Sequence, residues 1–305
     1  METHDILVAG EINPDLILTG DVTPEFGQVE KLVDSASLTI GSSSAIFACG
    51  AARLGLKVAF IGVCGDDVFG RYMLEEMQKR DVDVSRVIVR KDGQTGLSVI
   101  LNQGTDRAIL THPGLIPALR ASDIPDELLR LARHLHVASY FLQPDLQPDL
   151  PALFQRAHAF GLTTSLDTNY DPTEVWAGFD ELLKVTNVFL PNEREALSLT
   201  GASSIDLAVD RFGSKVETVG IKLGAEGALG VCNGEQARVA SIPVHVVDAV
   251  GAGDSFDAGF MYGYLTGWSL EQSLRLACVC GALSTQHAGG TEGQPTLDEA
   301  LKFLT

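Results

Sequence analysis

Val246-Val247-Asp248-Ala249-Val250-Gly251-Ala252-Gly253-Asp254-Ser255-Phe256-Asp257-Ala258-Gly259-Phe260 is the most informative stretch of the chain. It reads as a strand ending near Asp248, a turn of small residues, and a helix continuing through Met261, Tyr264 and Leu265. Gly251, Ala252 and Gly253 leave backbone N–H groups uncovered at the helix start. Those donors and the positive end of the helix dipole form an anion site suited to a phosphate. Asp254, in the first turn, has two readings. It is either a cap for the helix or an acceptor for the proton of a hydroxyl beside a bound phosphate.

Other glycine-rich nucleotide motifs fit poorly. The dinucleotide fingerprint G-x-G-x-x-G, begun at Gly251, needs a third glycine where Phe256 stands, and Gly259 is out of register. The G-x-x-x-x-G-K-[ST], HExxH and GxSxG patterns are absent from the sequence. A dehydrogenase, a P-loop enzyme, a zinc protease and a serine hydrolase thus lack their usual markers.

Outward from this turn, short apolar runs alternate with amphipathic stretches. Ile6–Gly10, Val58–Val63, His136–Ser139, Thr164–Asp167, Val188–Leu190 and Thr218–Leu223 read as strands. The runs are mostly continuous, as expected for parallel strands covered on both faces. Val68–Arg80, Pro125–His134, Asp149–Phe160 and Ile205–Phe212 read as helices between them. Strand–helix alternation predicts an α/β layered fold with a mostly parallel central sheet. Two segments alternate apolar and polar residues instead: Asp15–Thr39, and Thr95–Thr111 with Gln103-Gly104-Thr105-Asp106 at its turn. These predict antiparallel hairpins outside the main sheet, either a lid over a site or a decorative edge. No internal repeat or Ser/Pro linker divides the chain, so residues 1–305 read as one domain with lid segments near 13–40 and 95–112.

The 305 residues carry 22 Lys+Arg against 40 Asp+Glu, a formal net charge of −18. Phosphate backbones and anionic membranes are held by clustered Lys and Arg, so neither nucleic acid nor a membrane surface is an expected partner. No apolar run reaches the roughly 18 residues of a membrane span. The opening Met1-Glu2-Thr3-His4-Asp5 has no basic-then-apolar leader, and Cys49, Cys64, Cys232, Cys278 and Cys280 lack a CxxC pair. Reduced, buried thiols in a cytoplasmic protein are the expectation. His134, His136, His158 and His245 show no metal-ligand spacing, so core or surface roles are expected of them.

The order of several segments carries a resemblance. Gly10-Glu11-Ile12-Asn13-Pro14-Asp15, Ala52-Arg53-Leu54-Gly55 and Gly62-Val63-Cys64-Gly65-Asp66-Asp67-Val68-Phe69-Gly70 come first. Asp167-Thr168-Asn169-Tyr170, Pro191-Asn192-Glu193-Arg194-Glu195 and Lys222-Leu223-Gly224-Ala225-Glu226-Gly227-Ala228 follow, before Gly251-Ala252-Gly253-Asp254. Across nearly the whole chain this resembles the ribokinase-like (PfkB-type) carbohydrate kinases. The resemblance implies a three-layer α/β fold with a small β lid, and transfer of the γ-phosphate of ATP to a sugar hydroxyl.

It also implies roles residue by residue. Asp254 is the expected base, and the amides of Gly251, Ala252 and Gly253 the expected anion hole. Asn192 and Glu195 match the element that organises Mg²⁺ and its waters, a role that can coexist with starting a helix. Lys222 stands where many relatives carry Thr; it suits ATP phosphates, or is a surface lysine at a strand end. Gly224 and Gly227 admit the nucleotide closely, or turn a hairpin. Asp248, with the carbonyls of Val250, Ser284 and Gly289, matches positions where several relatives hold a potassium-like ion. Asn13 and Asp15 lie where relatives bind sugar hydroxyls, although Asn-Pro-Asp is also a turn former. Gly41, Ser42, Ser43, Arg107, Gln143, Asp167 and Asn169 fall on the same acceptor side. Relatives often pair through their lids, so a homodimer is expected.

Two departures bear on the acceptor. Where relatives show Gly-Gly and later Asn, this chain has Ser42 and Ile46, so a polar sugar contact is lost or supplied by a serine. Ketodeoxygluconate kinases tend to carry an Arg near Asp171, and an Asp there would repel a substrate carboxylate. The expectation is therefore a small neutral sugar. Ile46 and Phe47 leave room for the alternative of an apolar slot for a nucleoside base. A non-catalytic sugar-binding protein on this scaffold is the other rival, disfavoured because a pure binder needs no base at Asp254.

Overall fold

The computed structural model describes residues 3–103 and 106–304. From the N-terminus the elements are β1 (His4–Ala9), β2 (Pro14–Thr19), β3 (Ser35–Ile40), α1 (Ser43–Arg53), β4 (Val58–Ile61), β5 (Val63–Gly65) and α2 (Val68–Gln78). Then come β6 (Val82–Asp83), β7 (Ile88–Arg90), β8 (Leu97–Gln103), β9 (Asp106–His112), α3 (Asp126–Leu129), β10 (Ala132–Val137) and α4 (Leu150–Ala159). The chain continues through β11 (Thr163–Leu166), α5 (Asp180–Leu183), β12 (Val188–Phe189), α6 (Glu193–Thr200), α7 (Ile205–Gly213) and β13 (Thr218–Lys222). It ends with β14 (Ala228–Cys232), β15 (Glu235–Val239), α8 (Ala252–Thr266), α9 (Leu270–Ser284) and α10 (Leu297–Leu301).

Among the described residues, nine strands form the main sheet in the order β15-β14-β13-β12-β11-β10-β1-β4-β6. Pairing is parallel from β6 to β13, and only β14 and β15 are antiparallel. Ile6, Leu7, Val8 and Ala9 are all fully buried, which explains the unbroken apolar run of β1. One face packs on α4 and α7 through Leu153, Phe154 and Phe212; the other packs on α1, α8 and α9 through Phe47, Phe260 and Leu276. Such a doubly covered sheet places ligands beyond the carboxyl ends of its strands.

A separate four-stranded sheet, in the order β3-β2-β8-β9, is built from the two alternating segments. Each predicted hairpin forms, β2 with β3 and β8 with β9, and β2 joins β8 in parallel register from Asp15↔Ser98 to Thr19↔Asn102. Gly104 and Thr105 of the second predicted turn lie outside the described residues.

Three expectations are corrected. The predicted Val58–Val63 strand breaks at Gly62, where a Cβ would stand 2.4 Å from the Gly10 carbonyl oxygen; Val63–Gly65 then pairs with β7 instead. Pro125–His134 is not one helix. It makes a single turn at Asp126–Leu129, because β10 begins at Ala132 to pair with His4. No strand precedes the Gly251–Gly253 turn either: Val246–Asp248 is loop, with the amides of Val247 and Asp248 both donating to the Thr285 carbonyl. The histidine expectation holds. His134 and His136 are fully buried and share the Ser165 hydroxyl, and His245 is exposed. All five cysteines are free, four of them buried.

Candidate active site

The turn at Gly251 takes a φ of 72°, and a Cβ there would lie 2.7 Å from Gly290 Cα, so glycine is required twice over. Helix α8 then starts at Ala252 with no side-chain cap hydrogen bond. The N-cap position is taken by Gly251, so Asp254 is not the capping residue but the acid of the first turn. Asp254 is 8 % exposed, and it is pushed up to about 7. Burial is the largest cause, the negative Asp167 adds to it, and Lys222 opposes.

A cluster of acids surrounds this residue. Oxygens of Asp167, Asp254 and Asp257 all lie within 4.8 Å of one another. Lys222 Nζ donates to Asp167 Oδ2 and Asp257 Oδ2, each at 2.9 Å. Lys222 is thus neither a surface lysine nor an unengaged phosphate ligand; its ammonium is the cation of the cluster. Those two carboxylates hold Lys222 well above the ordinary lysine range despite its burial. Asp167 was expected on the sugar side, and its Oδ2 instead accepts from Lys222. A Cβ on Gly253 would sit 3.6 Å from Lys222 Nζ, which places the ammonium directly under the turn.

Beside the turn lies a cavity of about 540 Å³, lined by Lys222, Gly224, Gly227, Val246, Gly253 and Phe256 among others. Its walls are mostly apolar, as an aromatic base with a few polar anchors requires. Gly227, with φ 97°, lets the backbone pass where a Cβ would strike the Val239 carbonyl at 2.0 Å. Gly224 and Gly227 turn the β13–β14 connection and also line the cavity.

Asn192 bridges to Lys222 at the next strand end. It caps α6 in a reciprocal box: Asn192 Oδ1 accepts from the Glu195 amide at 2.9 Å, and Glu195 Oε2 from the Asn192 amide at 3.0 Å. Glu195 is 4 % exposed and pushed up to about 7, first by burial and then by Asp167. Asp248 ties two loops together, Oδ1 accepting from the Val250 amide and Oδ2 from the Gly289 amide, both at 3.0 Å. Ser284's carbonyl lies close to Gly293, where a Cβ would stand 2.4 Å from it.

Several residues expected on the acceptor side lie close together. Asn13 Nδ2 donates to Asp15 Oδ1 and to Ser98 Oγ, each at 3.4 Å. Asp15, buried, is pushed up to about 7 by burial, with the Arg107 charge opposing. Gly41 is packed so closely that a Cβ would stand 2.1 Å from Asp15 Oδ1. Ser42, at φ 65°, caps α1 and donates to the Glu11 carbonyl at 2.7 Å. Asn169 Nδ2 donates to Ser43 Oγ and to Ser139 Oγ. Gln143 does not join this group by any hydrogen bond; its Nε2 donates to the Ala138 carbonyl at 2.6 Å.

The structure bears on two expectations about the acceptor. Asp171 accepts from the Thr173 and Trp176 amides at 2.8 Å each, and these bonds, working against its burial, hold its carboxyl below the usual carboxylate range. Phe47 is 1 % exposed and stacks on His136 at 3.7 Å, and Ile46 packs against Gly251 and Gly290. Neither side chain opens a slot for a base. Sequence reasoning also missed residues. Asp257 lies three positions after Asp254, hence on the same helix face, a spacing that could have revealed it. Glu11, 2 % exposed, accepts from Ser44 and Ser139; a charged residue inside an apolar strand exit was its signal.

With this geometry in place, comparison with known proteins is direct. The model of the pfkB family carbohydrate kinases matches residues 3–297. An uncharacterized sugar kinase of Archaeoglobus fulgidus is 32% identical over 248 residues, covering 81% of this chain and 98% of that protein. The 2-dehydro-3-deoxygluconokinase of Bacillus subtilis is 29% identical, covering 92% and 91%. Among solved structures, the Arabidopsis thaliana ribokinase complexed with ribose and ATP superposes with a TM-score of 0.88 at 25% identity, covering 100% of this chain and 99% of the other. The fold is ribokinase-like, and the chain belongs to the pfkB family of carbohydrate kinases as an ATP-dependent sugar kinase.

Proposed function

We propose that the chain transfers the γ-phosphate of ATP to a hydroxyl of a small neutral sugar, with Asp254 as base and the Gly251–Gly253 amides as anion hole. The observation that carries this reading is the position of Asp254. It stands buried in the first turn of α8, next to Gly253 of the 540 Å³ cavity wall and near enough to Glu11 to feel its charge. The cavity takes the nucleotide. Asn13, Asp15 and Asn169 face the acceptor, and Arg107 in β9 brings a charge that acts on Asp15. Buried acids at Glu11, Asp15 and Asp254 favour a neutral polyol over a carboxylated sugar.

Mg²⁺ belongs to this reading. Asn192 and Glu195 offer oxygen donors suited to a hard cation through its waters. A chain provisionally named ribokinase II from E. coli was solved with ATP and Mg²⁺. The metal's chemistry is charge neutralisation on the phosphates; orientation of the acceptor and removal of its proton fall to this chain's own residues. A potassium-type ion would sit near Asp248, Val250 and Gly289, and a Vibrio cholerae fructokinase was solved with such an ion. We read residues 1–305 as one kinase domain whose small sheet, from 13–40 and 95–112, is the lid. Phe26, Leu32, Ile109 and Leu110 are exposed there, which supports a homodimer formed through the lid. No helix among the described residues is long and apolar enough to cross a membrane.

The test is ADP release with MgATP and D-ribose, D-fructose, 2-dehydro-3-deoxygluconate, ribose 1-phosphate or adenosine. Stimulation by a neutral sugar is expected. No stimulation by any acceptor would favour a non-catalytic sugar binder, and adenosine alone would favour a nucleoside kinase.

A further inference from the structure

Gln294 is buried, 3 % exposed, among Gly50, Leu54, Ala258 and Cys280. An amide in such surroundings costs stability unless it is hydrogen-bonded, and a side chain that only filled space would be apolar. Both of its amide protons are placed, and on different helices. Nε2 donates to the Ile46 carbonyl of α1 at 2.9 Å and to Ser255 Oγ of α8 at 3.1 Å. The Ile46 carbonyl can only accept, which fixes the amide with its nitrogen toward the two helices.

The space for this side chain is built into the helices. A Cβ on Gly50, inside α1, would stand 2.8 Å from Gln294 Nε2 and 3.1 Å from Ala258 Cβ of α8. Glycine is a poor residue for a helix interior, and here it clears the volume the amide occupies. From the other side, the Gln294 backbone carbonyl accepts from Arg53 Nε at the end of α1. Both partners of the amide sit in first turns. The Ile46 amide closes the first turn of α1 on the Ser42 carbonyl, and the Ser255 amide that of α8 on the Gly251 carbonyl, each at 2.9 Å. Ile46 also reaches across, its Cγ2 lying 3.0 Å from where a Gly251 Cβ would stand.

We propose that Gln294 is a positioning residue, a strut that sets the spacing between two first turns: that of α8, which carries Asp254 and follows Gly251, and that of α1, which follows Gly41 and Ser42 of the expected acceptor side. This rests on Asp254 being the base. Helix α8 has no side-chain cap, so its first turn is steadied by a bond from a residue 39 positions away. Ser255 follows Asp254 directly, and its hydrogen bond bears on the backbone from which the Asp254 carboxyl projects. Misplacing a reacting group by about 1 Å is enough to slow a reaction by about a hundredfold. Gln294 itself is no substrate contact on this reading, so losing the strut slows transfer without weakening binding.

The experiment is a double-mutant cycle on ADP release, with MgATP and whichever acceptor of the panel above gives the highest rate. kcat is counted per ADP-binding site, so that unfolded chain does not enter it. Gln294→Met keeps the length of the side chain and removes both donors. It is expected to lower kcat by about tenfold, with the KM for ATP and for the acceptor within about twofold. Ser255→Ala removes the other end of the same bond and gives a similar loss, and the double variant falls no further than Gln294→Met. Ser255→Thr keeps the hydroxyl and stays within about twofold of the parent. A role in stability alone would lower the melting temperature of these variants and leave kcat per site at the parent value, which overturns the inference. So does a double variant slowed by about a hundredfold, or a Ser255→Thr variant as slow as Ser255→Ala. Should Gln294→Met not fold, Ser255→Ala and Ser255→Thr decide by the same split. No release with any acceptor, or Asp254→Asn at the parent rate, means that the base assignment has failed and the strut's action on a base with it. If Asp254→Asn is dead while Gln294→Met and Ser255→Ala keep the parent kcat, only the strut has failed.

Discussion

Lys222 and Asp257 form a buried ion pair, Nζ to Oδ2 2.9 Å, with 12 % and 1 % of their side chains exposed. Asp167 shares the same ammonium at 2.9 Å. Removing one member of a buried pair leaves a charge without compensation, at a cost of about 3–5 kcal/mol. Lys222→Met is therefore expected to lower stability by about that amount. Lys222→Met combined with Asp257→Leu should recover more than half of it. Urea unfolding of the two variants checks this, and equal losses in both would overturn the pairing as the cause.

Asp254→Asn keeps the shape of the side chain and removes its basicity. Its kcat is expected to fall by about 10²–10⁴-fold, with the KM for ATP within about threefold. Steady-state ADP release measures both constants.

Asp254 is pushed up to about 7 by burial and by Asp167, so the base form is lost as pH falls through that value. Below pH 7, kcat/KM should drop by about tenfold per unit. Stability runs the opposite way. Asp15 and Asp254 hold protons in the folded chain that the unfolded chain, with ordinary aspartate values of 3.8, has already released. Between about pH 4 and 7 the native state binds more protons, so unfolding free energy falls as pH rises, by up to about 1.4 kcal/mol per unit per group. A melting series from pH 5 to 8 in the absence of ligand should show this decline.

Gly41→Ala places a methyl group where Asp15 Oδ1 would be 2.1 Å away. Asp15 must then move. The expected result is a rise of about tenfold or more in the KM for the sugar, with the KM for ATP unchanged. Initial rates at varied acceptor concentration decide it.

Much of this was legible in the sequence because it rests on local pattern. The continuous runs of β1 and β13 and the alternation of β2 and β8 follow from which faces each strand buries. Gly251–Asp254 was readable because a phosphate turn needs small residues ahead of a helix. What escaped depends on long-range pairing. Pro125–His134 carries a helical pattern, yet a strand wins from Ala132 because a place beside His4 is open. Lys222 could not be placed from sequence, since its partners lie 55 and 35 residues away.

The small sheet is held together in its middle by the parallel β2–β8 ladder, Asp15 through Thr19 against Ser98 through Asn102. Asp15 begins one side of that ladder, and Arg107 rides on β9, bonded to the other side. The two hairpins therefore cannot answer an acceptor separately. On the proposed reading, a sugar that engaged Asp15 would also order the strand carrying Arg107, lowering the entropic cost of that second contact. Sugars too short to touch both hairpins would forfeit this linkage, which makes reach across the sheet, rather than any one hydroxyl, the first criterion by which acceptors are sorted.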